Sequence, residues 1–414
     1  MTQPEQSKLT RNAILLVLVA SLGYFVDIYD LLVFSIVRVP SLTDLGLSET
    51  QITTQGQLII NVQMAGLLLG GIIWGVVGDK MGRIKVLFGS ILLYSIANFA
   101  NAFVANVPMY AAIRFIAGIG LAGELGAGIT LVTETLSKEK RGYGTMIVAV
   151  IGLFGAAAAY AVAKHGWQSA YMVGGGLGIL LLFMRIGTFE SGMYQDVQES
   201  KASKGNFFML FTNFSRFKKY LYCILIGAPL WYVVGVLVSF SPEFGKALNA
   251  KDVLSAGEGI FYTYIGISIG DIFAGLLAQV LKSRKVTMAV FHVLSTVAAI
   301  IYLRSEGITH DRFIWVCFIM GCSVGYWATF VTIAAEQFGT NIRATVTTTV
   351  PNFVRGSLIP ITLAFNALKG NFGQINAGYI MMIVLTVIAL FSLSQLKETF
   401  GKDLNYIEED AGVS

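Results

Sequence analysis

Long apolar runs separated by short polar stretches follow one another along almost the whole chain. A helix that rises 1.5 Å per residue needs about 20 predominantly apolar residues to cross the hydrocarbon core of a bilayer. Twelve runs approach or exceed that length, at 13–37, 56–77, 86–105, 109–133, 142–163, 167–187, 221–240, 259–281, 286–303, 312–335, 344–368 and 377–396. The pattern therefore predicts an all-α polytopic membrane protein with twelve transmembrane helices.

The composition excludes an ordinary soluble domain. Hydrophobic residues make up 55% of the chain and charged residues only 13%, and the mean hydropathy is +0.70. Soluble domains carry about 25% charged residues. The net charge of +5 lies in short loops rather than on one face, so we expect the lipid bilayer, and no nucleic acid, as the large partner.

The basic residues predict the orientation. When loops are assigned alternately to two sides, one side holds about 20 Lys and Arg residues and the other about 7. By the positive-inside rule both termini lie in the cytoplasm. The first apolar run is too long for a signal-peptide core, so we expect no cleavage and an integral protein of the cell (inner) membrane.

Two carboxylates, Asp27 and Asp30, interrupt the first apolar run. An acid at the bilayer centre costs about 2.5 kcal/mol or more, so such residues usually face protein or a water-filled path. The spacing of three places both on one helix face. Arg114, at a comparable depth in the fourth run, is the predicted partner. We expect Asp27 or Asp30 to carry a coupled proton, with Arg114 beside it controlling its protonation. The alternative is that they only fix helix packing. Glu124, farther along the fourth run, has no evident partner.

A repeat divides the chain. Glu134 and Arg141 recur at the same offset as Glu336 and Arg343, and Glu190 after the sixth run is echoed by Glu398 after the twelfth. The sequence thus predicts two six-helix halves, 1–187 and 221–396, with a cytoplasmic linker at 188–220 and a cytoplasmic tail at 397–414.

The turn Gly78-Asp79-Lys80-Met81-Gly82-Arg83 closely resembles the signature between helices 2 and 3 of the major facilitator superfamily. The Asp-x-Tyr-Asp helix, the Arg114 to Glu124 stretch and Arg355-Gly356 resemble its proton-linked metabolite symporters, above all the aromatic-acid and organic-anion branches. The resemblance implies two parallel six-helix bundles with the substrate site between them. It also implies a monomer that is not an enzyme and needs no cofactor.

Arg355 lies in the eleventh run between Pro351 and Pro360. A guanidinium stays protonated at physiological pH, so in the membrane it needs an acid, backbone carbonyls or an anionic ligand. We predict that Arg355 binds the negative charge of the substrate; the alternative is a structural ion pair with Asp271. Other candidate substrate-binding residues are Glu124, Trp231, Tyr262, Asp271 and Trp327.

Charged residues near the cytoplasmic ends of the helices form a candidate gate that holds the halves together when the site faces outward. Its predicted members are Asp79, Arg83, Glu134, Arg141, Glu336 and Arg343.

Proton symport of a small organic anion is the favoured function. Phosphate symporters share the Asp-x-Tyr-Asp helix but have Gly-Gly-Asp-Tyr-Pro where this chain reads Gly123-Glu124-Leu125-Gly126. Sugar symporters offer no reason for Arg355, and a proton-independent uniporter or exchanger remains open. A membrane sensor usually needs a signalling domain larger than this linker or tail. The three histidines and three cysteines are scattered, so neither a metal site nor a disulfide is predicted.

Overall fold

A computed structural model describes residues 11–81, 83–124, 141–190, 207–401 and Glu408, and this part contains helices and no strand. The helices are α1 (Arg11–Asp44), α2 (Glu49–Met81), α3 (Arg83–Asn101), α4 (Val107–Leu121), α5 (Arg141–Ala163), α6 (Trp167–Glu190), α7 (Met209–Thr212), α8 (Phe214–Leu225), α9 (Ala228–Tyr232), α10 (Ser241–Ala247), α11 (Ala256–Leu281), α12 (Arg284–Leu303), α13 (His310–Val324), α14 (Trp327–Glu336), α15 (Thr340–Gly356) and α16 (Leu358–Gln395). A π-helical stretch, Val233–Val238, follows α9.

Each of the twelve predicted spans falls on one or more of these helices, which confirms the twelve-helix plan. The boundaries differ in places. The stretch 38–54, predicted as a loop, is helical except at residues 45–48, because the polar Arg38 is buried and paired rather than solvated. The seventh span begins earlier, at Phe214, and the last two spans meet in α16, where Gly373 breaks the helix with a φ of 76°.

Glycines set the closest helix crossings. A Cβ added at Gly66 of α2 would lie 2.2 Å from the carbonyl oxygen of Phe115 in α4, and one at Gly118 would lie 2.2 Å from that of Gln63. The second half repeats this packing, since a Cβ at Gly266 of α11 would lie 2.2 Å from the carbonyl oxygen of Phe318 in α13. Small residues allow helix backbones to approach closely in membranes, so these glycines permit the close crossings of α2 with α4 and of α11 with α13.

The two halves meet along α2 with α15 and along α5 with α11. At the end of the molecule that holds the α1–α2 turn, which we call the distal end, Arg38 pairs with both carboxylate oxygens of Glu243 in α10, at 2.7 and 2.9 Å. Thr53 also donates to Glu243. The distal end is therefore closed by polar contacts between the halves.

Candidate functional site

The first buried ion pair of the site joins the two halves. Nη2 of Arg355, in α15, lies 3.1 Å from Oδ2 of Asp27, in α1, and both side chains are essentially buried. Arg355 therefore has a carboxylate partner, but the alternative that assigned this partner to Asp271 is wrong. Asp27 Oδ1 and Arg355 Nε and Nη1 have no hydrogen-bond partner among the described residues.

The second ion pair lies within the first half. Arg114 donates to Oδ1 of Asp30 at 3.1 Å and to the amide oxygen of Asn98 at 2.6 Å. Arg114, the predicted partner of both acids in α1, thus pairs with Asp30. Asp27 pairs instead with Arg355 of the other half. The reason is geometric, because residues three apart in an α-helix differ by about 60° in direction and by about 4.5 Å in height.

Glu124 also has a partner, which the sequence did not reveal. It forms a buried ion pair with Arg185 of α6. Arg185 lies near the end of the sixth predicted span, 167–187, yet only 2% of its surface is exposed. Gly23 makes room for the pair, since a Cβ there would collide with both Glu124 and Arg185. Because its carboxylate is engaged within the first half and it does not line the central cavity, Glu124 does not join the substrate-binding set.

A cavity with about 280 Å³ of atom-free space lies between the halves. Both halves supply its wall, which is apolar and aromatic apart from one guanidinium. It is lined by Tyr24, Ile28, Leu153, Leu230, Trp231, Tyr264, Ile267, Trp327 and Arg355. Small-molecule sites are typically apolar clefts with a few placed polar groups, so this cavity is the candidate substrate site.

Two of the three predicted aromatics line the cavity. Trp231 and Trp327 do, whereas Tyr262 does not, and Tyr264 lines it instead. Two positions on α11 differ by about 200° in direction, and Tyr262 packs edge-on against Phe261 with ring centroids 5.0 Å apart. Tyr24 was also missed; its signal was the spacing of three to Asp27, which places both on one face of α1.

Asp271 positions a helix break beside the cavity. Its Oδ1 accepts a hydrogen bond of 3.0 Å from the backbone N–H of Ala328, in the first turn of α14. Gly325 and Tyr326 separate α13 from α14, and a Cβ at Gly325 would lie 2.5 Å from the Cα of Gly270. Asp271 therefore holds the helix that carries Trp327 and takes no part in the Arg355 pair.

The tryptophans bring further polar groups to the cavity wall. The indole Nε1 atoms of Trp231 and Trp327 are buried and have no hydrogen-bond partner among the described residues. The guanidinium of Arg355 lies 5.9 Å from the ring centroid of Trp327, close enough for a cation–π contact. Donors and aromatic faces thus share one small chamber.

The predicted cytoplasmic gate is only partly covered. Glu134 and the side chains of Asp79, Arg83 and Arg141 lie outside the described residues. Glu336 pairs with Arg284 of α12 and accepts from Thr399. Arg343 donates to the backbone oxygens of Ala335 and Phe338. The described contacts of both lie within the second half, and the gate stays a prediction.

Comparison with known proteins adds relatives over nearly the full length. The family model described as Major Facilitator Superfamily matches residues 20–357. The chain is 23% identical over 387 residues to a putative niacin/nicotinamide transporter, NiaP, of Bacillus subtilis, covering 91% of this chain and 90% of the relative. It is 23% identical to a gentisate transporter of Corynebacterium glutamicum, with 91% and 86% covered. The fold is similar to that of the xylose transporter XylE from E. coli, at a TM-score of 0.70 and 17% identity, with 95% and 100% covered.

Proposed function

The chain belongs to the Major Facilitator Superfamily, and from this premise we propose that it carries a small organic anion across the membrane in symport with a proton. The observation that carries the proposal is the Asp27–Arg355 ion pair, which joins the two halves at the wall of the central cavity. The relatives named for niacin and gentisate transport support a carboxylate with a ring as the cargo.

Arg355 anchors the cargo. Its guanidinium is the one charged group on the described cavity wall, and two of its nitrogens have no hydrogen-bond partner within the part of the chain that the structure describes. A guanidinium binds a carboxylate through two parallel hydrogen bonds, which a lysine ammonium does not reproduce. The aromatic wall then holds the apolar part of the substrate.

Asp27 couples the proton through competition for the same guanidinium. When the substrate carboxylate takes the place of Asp27 on Arg355, the released Asp27 is a buried carboxylate without a cation, and it binds a proton to become neutral. One anion and one proton then enter together, and the charge of the cavity is unchanged. Asp30 keeps Arg114 and Asn98 within its own half, so we assign coupling to Asp27 and a structural role to the second pair.

The test is transport by purified protein in proteoliposomes. For Asp27→Asn we expect loss of uptake driven by a pH gradient but retained counterflow of the same carboxylate, because the anion site remains. Arg355→Lys should weaken substrate binding at least about tenfold, through loss of the two-point contact. Asp30→Asn is the matched control for an intramembrane acid.

Three results would contradict this assignment. They are gradient-driven uptake that persists in Asp27→Asn, uptake that is lost only in Asp30→Asn, and unchanged carboxylate affinity in Arg355→Lys. Counterflow measured with carboxylates, phosphate and sugars on the unaltered protein distinguishes an organic-anion substrate from the other substrate classes.

A further inference from the structure

Two tryptophans that line the cavity carry buried indole N–H groups that the proposed anchoring and coupling do not use. Trp231 lies in α9 and is 3% exposed, and Trp327 opens α14 and is 7% exposed. Both side chains line the cavity. Neither Nε1 has a hydrogen-bond partner among the described residues.

Such donors are unusual in a folded interior. A buried tryptophan N–H normally finds an acceptor, and a buried donor without a hydrogen bond costs about 1 to 3 kcal/mol. The same chain satisfies its other buried indole donors when an acceptor is near. Trp74 donates to the carbonyl oxygen of Ile119 at 2.6 Å, and Trp167 donates to Asp44 at 2.8 Å.

The chamber restricts which acceptor can fit. The space between its lining atoms, about 280 Å³ with the part open to solvent included, is an upper bound on the ligand and admits only a small molecule. The rest of the wall is aliphatic or tyrosine side chain. A second charged group on the ligand would face these groups without a counter-charge, whereas a neutral acceptor would meet an indole donor.

We propose that Trp231 and Trp327 are specificity-determining residues that donate a hydrogen bond to a neutral acceptor atom on the ring of the substrate. The substrate class is then a single-ring monocarboxylate whose ring carries an acceptor, such as a pyridine nitrogen or a ring oxygen substituent. This inference rests on the proposed function, because the carboxylate of the same molecule occupies Arg355.

The experiment compares ligands that differ by one atom. Benzoate and the pyridine carboxylates have nearly the same shape, but only the latter place an acceptor in the ring, and at neutral pH that nitrogen is unprotonated. Binding of benzoate and of pyridine-2-, -3- and -4-carboxylate is measured by titration calorimetry on the purified full-length protein. We expect one pyridine carboxylate to bind about 3- to 10-fold more tightly than benzoate, the range for one net hydrogen bond.

The variants Trp231→Phe and Trp327→Phe remove one N–H each and keep an aromatic ring. In at least one of these variants, the affinity for the preferred pyridine carboxylate should fall to about that for benzoate, while benzoate still binds. Trp315→Phe is the matched control, since Trp315 is 65% exposed and lies outside the cavity. If a phenylalanine variant does not fold, incorporation of 3-benzothienylalanine at the same position replaces the N–H with sulfur and keeps the ring shape.

Two outcomes overturn the inference. The first is that the unaltered protein binds benzoate as tightly as every pyridine carboxylate. The second is that the preference survives in both tryptophan variants. In either case the proposed function stands as long as Arg355→Lys weakens all four carboxylates, whereas failure of all four to bind the unaltered protein would defeat the proposed function itself.

Discussion

The three ion pairs of the candidate site differ in which parts of the molecule they join. Glu124–Arg185 and Asp30–Arg114 each lie inside the first half. The third pair alone, Asp27–Arg355, connects the halves at the cavity. A transporter that alternates access moves one half against the other around a fixed site. Under the proposed function, the first two pairs can therefore stay intact through the cycle, while we expect the third to exchange partners.

We predict that Glu124→Gln destabilises the protein strongly, because it removes the buried carboxylate that pairs with Arg185. Removing one partner of a buried pair costs about 3 to 5 kcal/mol, whereas replacing both with apolar residues of similar volume is often nearly neutral. The double variant Glu124→Leu/Arg185→Met should therefore recover most of the loss. Thermal unfolding in detergent measures the stability of both variants. A double variant less stable than Glu124→Gln would show that the ion pair stabilises the protein beyond neutralising its own two buried charges.

At the scale of elements, broken helices place the cavity side chains. The π-helical stretch Val233–Val238 follows the residues that carry Trp231, and the break at Gly325 precedes Trp327. Irregular backbone at membrane depth is tolerated where it is buried in protein or lines a cavity. In this chain the free N–H of Ala328 is satisfied by Asp271, so the break is stabilised by an acid that an unbroken helix would not need.

The glycine crossings give a prediction at the same scale. Gly66→Ala should lower stability by about 1 to 3 kcal/mol, the usual cost of overpacking, because the new Cβ would meet the backbone of α4. Gly176→Ala in α6 is the matched control. Nothing lies within 4 Å of its added Cβ, so helix propensity should leave it neutral or slightly more stable.

Thermal unfolding of the two glycine variants, read side by side in detergent, provides the check. Equal melting temperatures for both would argue against the close crossing of α2 and α4.

At the scale of the whole molecule, polar contacts between the two halves close the distal end. Two ion pairs join the halves there: Arg38 with Glu243, a bidentate pair in which the arginine is buried and the glutamate partly buried, and Lys246 with Glu49, whose side chains are 64% and 83% exposed. A bidentate pair with a buried guanidinium is worth more than an exposed pair, which typically contributes less than about 1 kcal/mol. We therefore expect the first pair to contribute most to the closure of the distal end.

We predict that Glu243→Gln opens the distal end, because Arg38 then lies buried without a carboxylate. Spin labels at Ser48 and Val253, one in each half, should show a longer distance population by electron paramagnetic resonance. Lys246→Gln is the matched control and should leave the distribution nearly unchanged. Equal distributions in the two variants would assign the closure to other contacts.

The pH dependence of this closure follows from the sign of the pKa shift. Burial alone would raise the pKa of Glu243, but the Arg38 guanidinium and the Thr53 hydroxyl outweigh it and hold the pKa below its ordinary 4.5. A carboxylate with a lowered pKa stabilises the closed form above its ordinary pKa and loses that contribution only as pH falls through the lowered value. The distance distribution should therefore stay constant between about pH 8 and about pH 5.5. A shift within that range would identify a different titrating group.

The sequence by itself determined the class of molecule. Runs of about 20 apolar residues have one solution in a bilayer, a helix whose backbone hydrogen bonds are internal. For this reason the twelve spans and the two-fold repeat could be predicted from spacing and composition. The cost of burying a charge also singled out Asp27, Asp30, Arg114 and Arg355 as residues that need partners.

Only the tertiary structure decided who the partners are. Asp27 and Asp30 share a helix face, yet a difference of about 60° sends one to the second half and the other to α4. Arg185 lies near the end of a predicted span, and only the position of α6 in the bundle brings it against Glu124. Tyr264 rather than Tyr262 reaches the cavity because of the rotation of α11. These outcomes depend on how helices far apart in sequence are oriented about their axes, and local sequence does not encode that orientation, since packing of the whole bundle sets it.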